Sequence, residues 1–207
     1  MDSNERGTTM QTQNTNQQPQ PKNEVILTPK FRMSFPHLFK PHSGFKNQEP
    51  VYSVQMLFKK TDDISALKKA AHDAATKKWG PKENWPQFKH PVFKDGDAKA
   101  KKLQGYEGMI VVEARSKFKP GVVDAKTQEV IDPQLAYAGR YARATVTVYA
   151  YQNQFGSGIS FGLQNIQLLE DAPAFSGRRN AKDDFDVVEE LSSGDEFSQA
   201  PNDGYEF

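Results

Sequence analysis

Cysteine is absent from this 207-residue chain, which excludes disulfide bonds and thiolate metal sites. No apolar run approaches the ~20 residues that a membrane-spanning helix needs. Residues 1–21 lack the apolar stretch of a signal peptide. Only 36% of the residues are hydrophobic and the mean hydropathy is -0.76, values that predict a modest core with polar extensions. We therefore expect no membrane partner and a cytoplasmic location.

Patterns typical of catalytic and metal sites are also scarce. The glycine-rich run 156–162 lacks the Lys-Ser/Thr pair of a phosphate-binding P-loop. Acidic residues, which could hold magnesium in a nuclease, are dispersed in the body of the chain and dense only near its end. The four histidines have no metal-site spacing: His37, His42, His72 and His90. We predict no enzyme activity, no cofactor and no metal site, with a magnesium-dependent nuclease as the less favoured alternative.

The formal net charge of +1 conceals a strong division along the chain. Residues 183–207 contain nine Asp or Glu and no Lys or Arg, a net charge of −9. Residues 22–182 contain 26 basic and 15 acidic residues, a net charge of +11. This asymmetry predicts a polyanionic partner for the body and an interaction role for the tail. The alternative is a tail that only aids solubility.

The pattern along the chain predicts three regions: a disordered Gln/Asn-rich arm over 1–22, a folded domain over 23–175 and a flexible acidic tail over 176–207. Within the domain, alternation and turn residues predict five main strands: 25–39, 51–60, 106–118, 139–152 and 158–170. A helix is predicted over 61–80, capped by Thr61 or Asp62, with acidic residues in its first turn and Gly80-Pro81 as its stop. A long loop over 81–105 and a small hairpin over 122–132 complete the prediction.

The expected fold is mainly β, a five-stranded OB-fold-like antiparallel barrel with one interposed α-helix and disordered termini. Composition alone would equally allow another α+β sheet.

One predicted strand, 140–151, separates two kinds of side chain. The small apolar set belongs to a tightly packed interior: Ala142, Ala144, Val146, Val148 and Ala150. The opposite set combines rings and a cation: Tyr141, Arg143, Thr145, Thr147, Tyr149 and Tyr151. Cations neutralise phosphates and flat rings stack on unpaired bases, so this face suits single-stranded nucleic acid. The alternative is that these tyrosines are ordinary sheet residues.

Further cations and rings extend this candidate surface to the other strands. Isolated Lys and Arg residues are more often solvated surface charges, and this alternative stays open for each of the cations named below. Trp79 and Trp85 could also stack on bases, although Trp79, at the helix end, is expected to pack the helix on the barrel. The candidate DNA-binding residues are Lys30, Arg32, Lys59, Arg115, Lys117, Phe118, Lys119, Arg140, Tyr141, Arg143, Tyr149 and Tyr151.

The acidic tail carries aromatic residues that no core could use. Its negative charge imitates a nucleic acid strand, and its rings imitate bases. Tethering would keep it at ~mM effective concentration beside the basic body, so we hypothesise that it competes with DNA and, once displaced, inserts its aromatic end into a partner protein. The candidate partner-binding residues are Asp195, Glu196, Phe197, Asp203, Tyr205, Glu206 and Phe207.

Three segments carry a resemblance to a known family: LTPKFRMSFPHLFKP, GRYARATVTVYAYQNQ and GSGISFGLQNIQLLED. Together they resemble signature segments of bacteriophage single-stranded DNA-binding proteins, over about residues 25–172. The acidic segment with a final Phe is similar in character to the tails of such proteins. The resemblance implies an oligonucleotide-binding fold, a role in phage DNA replication, recombination or repair in the host cytoplasm, and tail contacts with replication proteins such as a DNA polymerase.

The residues leave other functions open. The net charge of +11 on residues 22–182 also suits a general binder of double-stranded DNA or RNA, since electrostatic attraction depends only partly on whether the nucleic acid is single- or double-stranded. A pure adaptor, active only through its tail, is a further alternative. The tail could also reach a neighbouring copy, which would make the protein a homo-oligomer.

Overall fold

The computed structural model describes residues 24–44 and 49–175, which are mainly β. The arm predicted over 1–22 and the tail predicted over 176–207, with its candidate residues, lie outside the described residues. The described part contains β1 (Ile26–Leu27), β2 (Phe31–His42), β3 (Val51–Lys59), α1 (Ser65–Trp79), β4 (Lys94–Asp95), α2 (Asp97–Ala100), β5 (Met109–Ser116), β6 (Gly121–Val123), β7 (Tyr141–Asn153) and β8 (Gly156–Leu168). Two short 3-10 helices lie at Lys82–Asn84 and Pro133–Leu135.

Five strands pair in a ring, in the order β2, β3, β5, β8, β7 and back to β2. Antiparallel ladders join β2 to β3, β3 to β5, and β7 to β8. Two short junctions complete the ring, an antiparallel one between β2 and β7 and a parallel one between β5 and β8. The predicted mainly β class with an interposed helix is confirmed, with the refinement that one junction of the ring is parallel.

The core lies inside the ring and is closed by α1. Inward-facing residues of β3 and β5, including Met56, Phe58 and Val112, are buried. On α1, Leu67 and Ala71 are buried against the same core. Burial of these apolar faces is the main force that holds helix and ring together.

The start of α1 differs from the prediction, because the chain makes one more turn before the helix begins at Ser65. The Asp62 carboxylate accepts the backbone N–H of Lys59 at 2.7 Å and so does not cap the helix. No acidic residue lies in the first helical turn. The predicted end is confirmed, since Gly80 follows Trp79 with a φ of 79°, a conformation that favours glycine.

β2 breaks the alternation that its sequence suggests. The two-residue period of a strand would put Phe31, Met33 and Phe35 on one face. Phe31 and Met33 are buried, but the register with β3 shifts after Ser34. Phe35 adopts a φ of 45° and is 47% exposed, whereas Ser34 is buried. An irregularity of this kind reverses the faces of the residues beyond it, so Phe35 does not continue the buried row of Phe31 and Met33.

A strap of residues 97–108 covers part of the outer surface of the ring. Residues 97–105 come from the predicted loop, whereas residues 106–108 were predicted as the start of the strand 106–118, which begins only at Met109. The strap encloses a small second core of Leu57, Tyr106 and Val111. The Tyr106 hydroxyl lies 2.9 Å from Ser34 Oγ and 2.7 Å from Gln55 Oε1. The strap therefore shields Leu57 of β3 and Val111 of β5 from solvent.

Candidate nucleic-acid interface

β7 presents the two faces that its sequence predicts. Ala142, Ala144, Val146 and Val148 are buried, whereas Ala150, predicted with them, is only half-buried. Arg143 is exposed and Tyr149 is 43% exposed, while Tyr141 and Tyr151 are half-buried. The rings and the guanidinium therefore stand on the solvent side of the sheet. β7 continues into β8 through Gln154–Phe155, because Asn153 already pairs with Gly156.

The neighbouring strand β8 supplies a floor of small residues beneath the tyrosines. Tyr149 pairs with Ser160, and Tyr151 pairs with Gly158. A Cβ at Gly158 would stand 2.9 Å from the Tyr151 hydroxyl oxygen and 3.1 Å from ring atom Cζ. The Tyr151 ring therefore lies across the glycine, and the residue stays partly exposed to solvent.

Arg115 of β5 borders the same floor. It pairs with Gly162 of β8, which pairs in turn with Thr147 of β7, so the three residues form one row across three strands. A Cβ at Gly162 would meet Thr147 Oγ1 at 2.6 Å and the Tyr149 ring at 3.7 Å. We call this surface the tyrosine platform, formed by Arg115, Thr147, Tyr149, Tyr151, Gly158, Ser160 and Gly162.

A carboxylate holds the cation of the platform in place. Arg115 donates to Glu113 Oε1 from Nε at 3.0 Å and lies 2.8 Å from it through Nη2. Lys94 Nζ approaches the other carboxylate oxygen at 3.4 Å. Burial opposes ionisation of Glu113, but the hydrogen bond from Arg115 and the charges of Arg115 and Lys94 outweigh it, so the pKa of Glu113 lies below its usual value.

The loop after β5 carries three more predicted residues. Phe118 is 83% exposed, which is unusual for so large a ring. Lys117 pairs with Glu49 at 2.6 Å, and Lys119 lies over the Phe39 ring at 5.7 Å from its centroid. These residues lie beyond the end of the strand that carries Arg115.

A second group of predicted residues lines a separate cleft of about 320 Å³. Lys30, Arg32, Lys59 and Tyr141 all line it, and we call it the Tyr141 cleft. Lys30 Nζ stands 4.7 Å from the centroid of the Tyr141 ring and 2.5 Å from Glu170, whose hydrogen bond raises the pKa of Lys30. The cleft combines cations with one ring, although Asp62 and Asp63 also line it.

Arg32 and Arg140 are engaged by the protein itself. Arg32 donates to the carbonyl oxygens of Gly139 and Pro173 and also stacks on Phe175, with 4.6 Å between the guanidinium carbon and the ring centroid. Arg140 donates to the Leu169 and Leu135 carbonyl oxygens, and its side chain is only 14% exposed. Arg140 therefore stabilises the backbone around β7, and we do not count it among the exposed cations of the interface.

Sequence reasoning missed the contribution of the β7–β8 hairpin. Phe155 at its tip is 72% exposed, and Gly158, Ser160 and Gly162 form the platform floor. The alternation of small residues along 158–162 was a signal for this floor. The same five residues have the spacing of a G-x-S-x-G nucleophile elbow, but they lie inside the continuous strand β8 and not at a strand-to-helix turn.

Within residues 24–44 and 49–175, no three His, Asp or Glu side chains come together as metal ligands would. Neither α-helix of this part is both long and apolar enough to cross a bilayer.

Comparison with known proteins gives a consistent result. Residues 23–197 match the family described as Enterobacter phage Enc34, ssDNA-binding protein. Protein p50 of Acyrthosiphon pisum secondary endosymbiont phage 1 is 31% identical over 176 residues, which cover 77% of this chain and 92% of p50. The single-stranded DNA-binding protein from bacteriophage Enc34, solved in complex with ssDNA, has a TM-score of 0.61 at 26% identity, over 73% of this chain and 89% of that chain. The T7 protein gp2.5, a single-stranded DNA binding protein, shares the fold with a TM-score of 0.54 at 15% identity, over 76% of this chain and 97% of that chain. These similarities confirm the predicted OB-type fold class.

Proposed function

The chain belongs to the family of the Enterobacter phage Enc34 single-stranded DNA-binding protein, and from that premise we propose that it binds and coats single-stranded DNA without strong sequence preference. Its place of action is the cytoplasm of the bacterial host, during replication, recombination or repair of phage DNA. The protein works by binding and not by catalysis, and it needs no cofactor.

The tyrosine platform is the observation that carries this proposal. Stacking of a base on an aromatic ring contributes ~1–3 kcal/mol per base and tolerates any sequence, because every base has a flat face. Tyr149 and Tyr151 present their rings side by side on β7, and Arg115 stands on the opposite border of the floor. Bases would stack on the rings while the guanidinium meets the phosphates.

The Tyr141 cleft and the loop after β5 would extend the path of the bound DNA strand. Lys59 and Lys119 form no ion pair with a described residue, so their charges remain available for phosphates. Lys30, Arg115 and Lys117 are paired with carboxylates. DNA must therefore compete with Glu170, Glu113 and Glu49 for those cations, and their contribution to affinity is correspondingly smaller.

Titration with oligo-dT, followed by anisotropy of a labelled oligonucleotide, tests the proposal. Tyr149→Ala should weaken binding by about 1–3 kcal/mol, roughly fivefold to 150-fold in Kd, through loss of one stacking ring. Ile131→Ala is the matched control, because Ile131 is an 82% exposed apolar side chain outside both surfaces. If Tyr149→Ala binds as tightly as the control, the platform is not the binding surface.

Competition between probes separates the proposed function from its main alternative. Single-stranded and double-stranded DNA at equal nucleotide concentration should differ, with the single strand preferred, because a duplex hides the base faces that the tyrosines need. Equal competition by duplex DNA would favour a general nucleic-acid binder. Cleavage of labelled DNA in the presence of Mg²⁺ would instead favour a nuclease.

The tail is the regulatory part of the proposal. Residues 183–207, with a net charge of −9 and four rings, would occupy the basic surface in the absence of DNA. Once DNA displaces the tail, its end, from Asp195 to Phe207, would recruit replication proteins such as a DNA polymerase. The same reach would allow contact with a second copy of the chain.

A further inference from the structure

We propose that a pocket between α1 and the loop that follows it is a second site for bases of single-stranded DNA. This inference rests on the proposed function, since the ligand is the same. The pocket has a volume of about 320 Å³, and its walls include Lys68, His72, Trp85, Phe88 and Ile159. Ile159 alternates along β8 with Gly158 and Ser160 of the platform, so the pocket and the platform lie on opposite faces of that strand.

The walls of the pocket offer ring faces and few hydrogen-bonding groups. The Trp85 and Phe88 rings are nearly parallel, at 17°, with centroids 6.1 Å apart, and the His72 ring lies 5.1 Å from Trp85. The indole Nε1 of Trp85 donates to the Gly80 carbonyl oxygen at 3.0 Å. Because its polar edge is satisfied inside the protein, Trp85 would recognise a ligand by stacking and apolar contact, which favours a flat group.

Lysines that form no ion pair with a described residue lie at or near the pocket. Lys68 lines the pocket, and Lys82 and Lys89 lie on the loop that forms its outer wall. In the described part of the chain, none of these three has a carboxylate within ion-pairing distance, whereas Lys30, Arg115 and Lys117 all do. Unpaired positive charge therefore lies near this pocket as well as at Lys59 and Lys119 of the predicted surface.

A flat apolar pocket with a cationic rim matches the chemistry of a nucleotide. A neutral small molecule would leave the lysines without a partner, whereas a strand of DNA supplies a base for the pocket and phosphates for the rim.

The position of the pocket also suits a continuous strand. Phe88 forms a bridge with Ser157, and the Lys89 side chain lies over Gly156, 3.4 Å from the position of a Cβ there. The loop is thus attached to the β7–β8 hairpin that carries Tyr151 and Phe155. A single strand of DNA that runs off the platform at the end of this hairpin would reach the pocket next.

Tryptophan fluorescence reports on this site selectively. The chain has two tryptophans, and both border the aromatic cluster, since Trp79 stands 5.6 Å from Phe88. Trp79→Phe leaves Trp85 as the only tryptophan, and excitation at the red edge of tryptophan absorption, where tyrosine does not absorb, avoids a contribution from the platform. Saturating oligo-dT should quench Trp85 emission in this variant. Oligo-dT binding by anisotropy with unchanged Trp85 emission would overturn the proposal.

Salt dependence provides an independent measurement. Lys68→Gln/Lys89→Gln should lower the slope of log K against log salt by about 1.4, at ~0.7 per phosphate contact on a single strand. Lys99→Gln/Lys126→Gln is the matched control, because these exposed lysines lie on α2 and on the turn after β6, away from the pocket. Equal slopes for both double variants would contradict a second site.

The outcomes distinguish this inference from the proposed function. Failure of the intact chain to bind any oligonucleotide would overturn both. Normal binding without quenching and without the change in slope would overturn the second site alone. A synthetic peptide of residues 195–207 that quenches Trp85 when oligo-dT does not would assign the pocket to the acidic tail and overturn its assignment to DNA.

Discussion

The ring of Tyr151 lies across Gly158 of the neighbouring strand, where a Cβ atom would stand 2.9 Å from the phenol oxygen. Glycine is the residue that leaves the ring room to lie against the sheet. The pairing therefore sets the orientation of a ring that we propose stacks on DNA.

Gly158→Ala should displace the Tyr151 ring and weaken oligo-dT binding by about 1 kcal/mol, at the low end of the value of one stacked base. Anisotropy titration measures the change. In a Tyr151→Ala background the same substitution should have no further effect on affinity, because the ring is already gone. A similar loss in both backgrounds would mean that the glycine acts by another route.

Tyr106→Phe should destabilise the protein by about 1–2 kcal/mol, because it leaves the part-buried Gln55 oxygen and Ser34 hydroxyl without their partner. Urea denaturation measures the free energy of unfolding. Tyr52→Phe is the control, since the Tyr52 hydroxyl has no hydrogen-bond partner in the described structure. Equal stability of the two variants would show that the strap does not depend on this contact.

Glu113→Gln should lower stability near pH 7 but not in acid. The pKa of Glu113 is lower in the folded chain than its usual value of 4.5. The folded state therefore binds this proton less readily than the unfolded state, so the stabilisation is complete above pH ~4.5 and is lost as the pH falls through the folded pKa. Thermal unfolding across this pH range should show that the melting temperatures of the variant and the natural chain become equal in acid. The exposed Glu129 provides the control substitution Glu129→Gln, for which no such convergence is expected.

Deletion of residues 183–207 should strengthen single-stranded DNA binding and reduce its salt sensitivity at low salt, because a segment of net charge −9 no longer competes. Titrations at two salt concentrations measure both effects. A full-length variant with the nine acids replaced by Asn and Gln separates charge from length and should behave like the deletion. The competition hypothesis fails if the truncated chain binds no better than the intact one.

The residue pattern along the sequence was sufficient to predict several features of the candidate site. The two-residue period of β7 predicted both its buried alanines and its exposed Tyr149, because alternation is a property of any extended strand. Gly80-Pro81 predicted the end of α1, since glycine accepts the positive φ found there. The opposite charges of body and tail follow from composition alone.

Other features depend on residues that are far apart in the chain. The platform row exists because β5 pairs in parallel with β8, which brings Arg115 beside Gly162. Arg140 resembles a surface cation in the sequence, yet the Leu135 and Leu169 carbonyl oxygens bind it. The bulge that exposes Phe35 arises from the register between β2 and β3.

By itself the sequence determined the mainly β class, the strand that carries the tyrosines and the division of charge, because these depend on neighbours within a few positions. Only the tertiary structure decided which cations are neutralised, where the strap covers the ring and that Trp85, Phe88 and Lys68 share one pocket. Those outcomes depend on pairing and packing between distant segments, which the spacing of residues along one strand or helix does not specify.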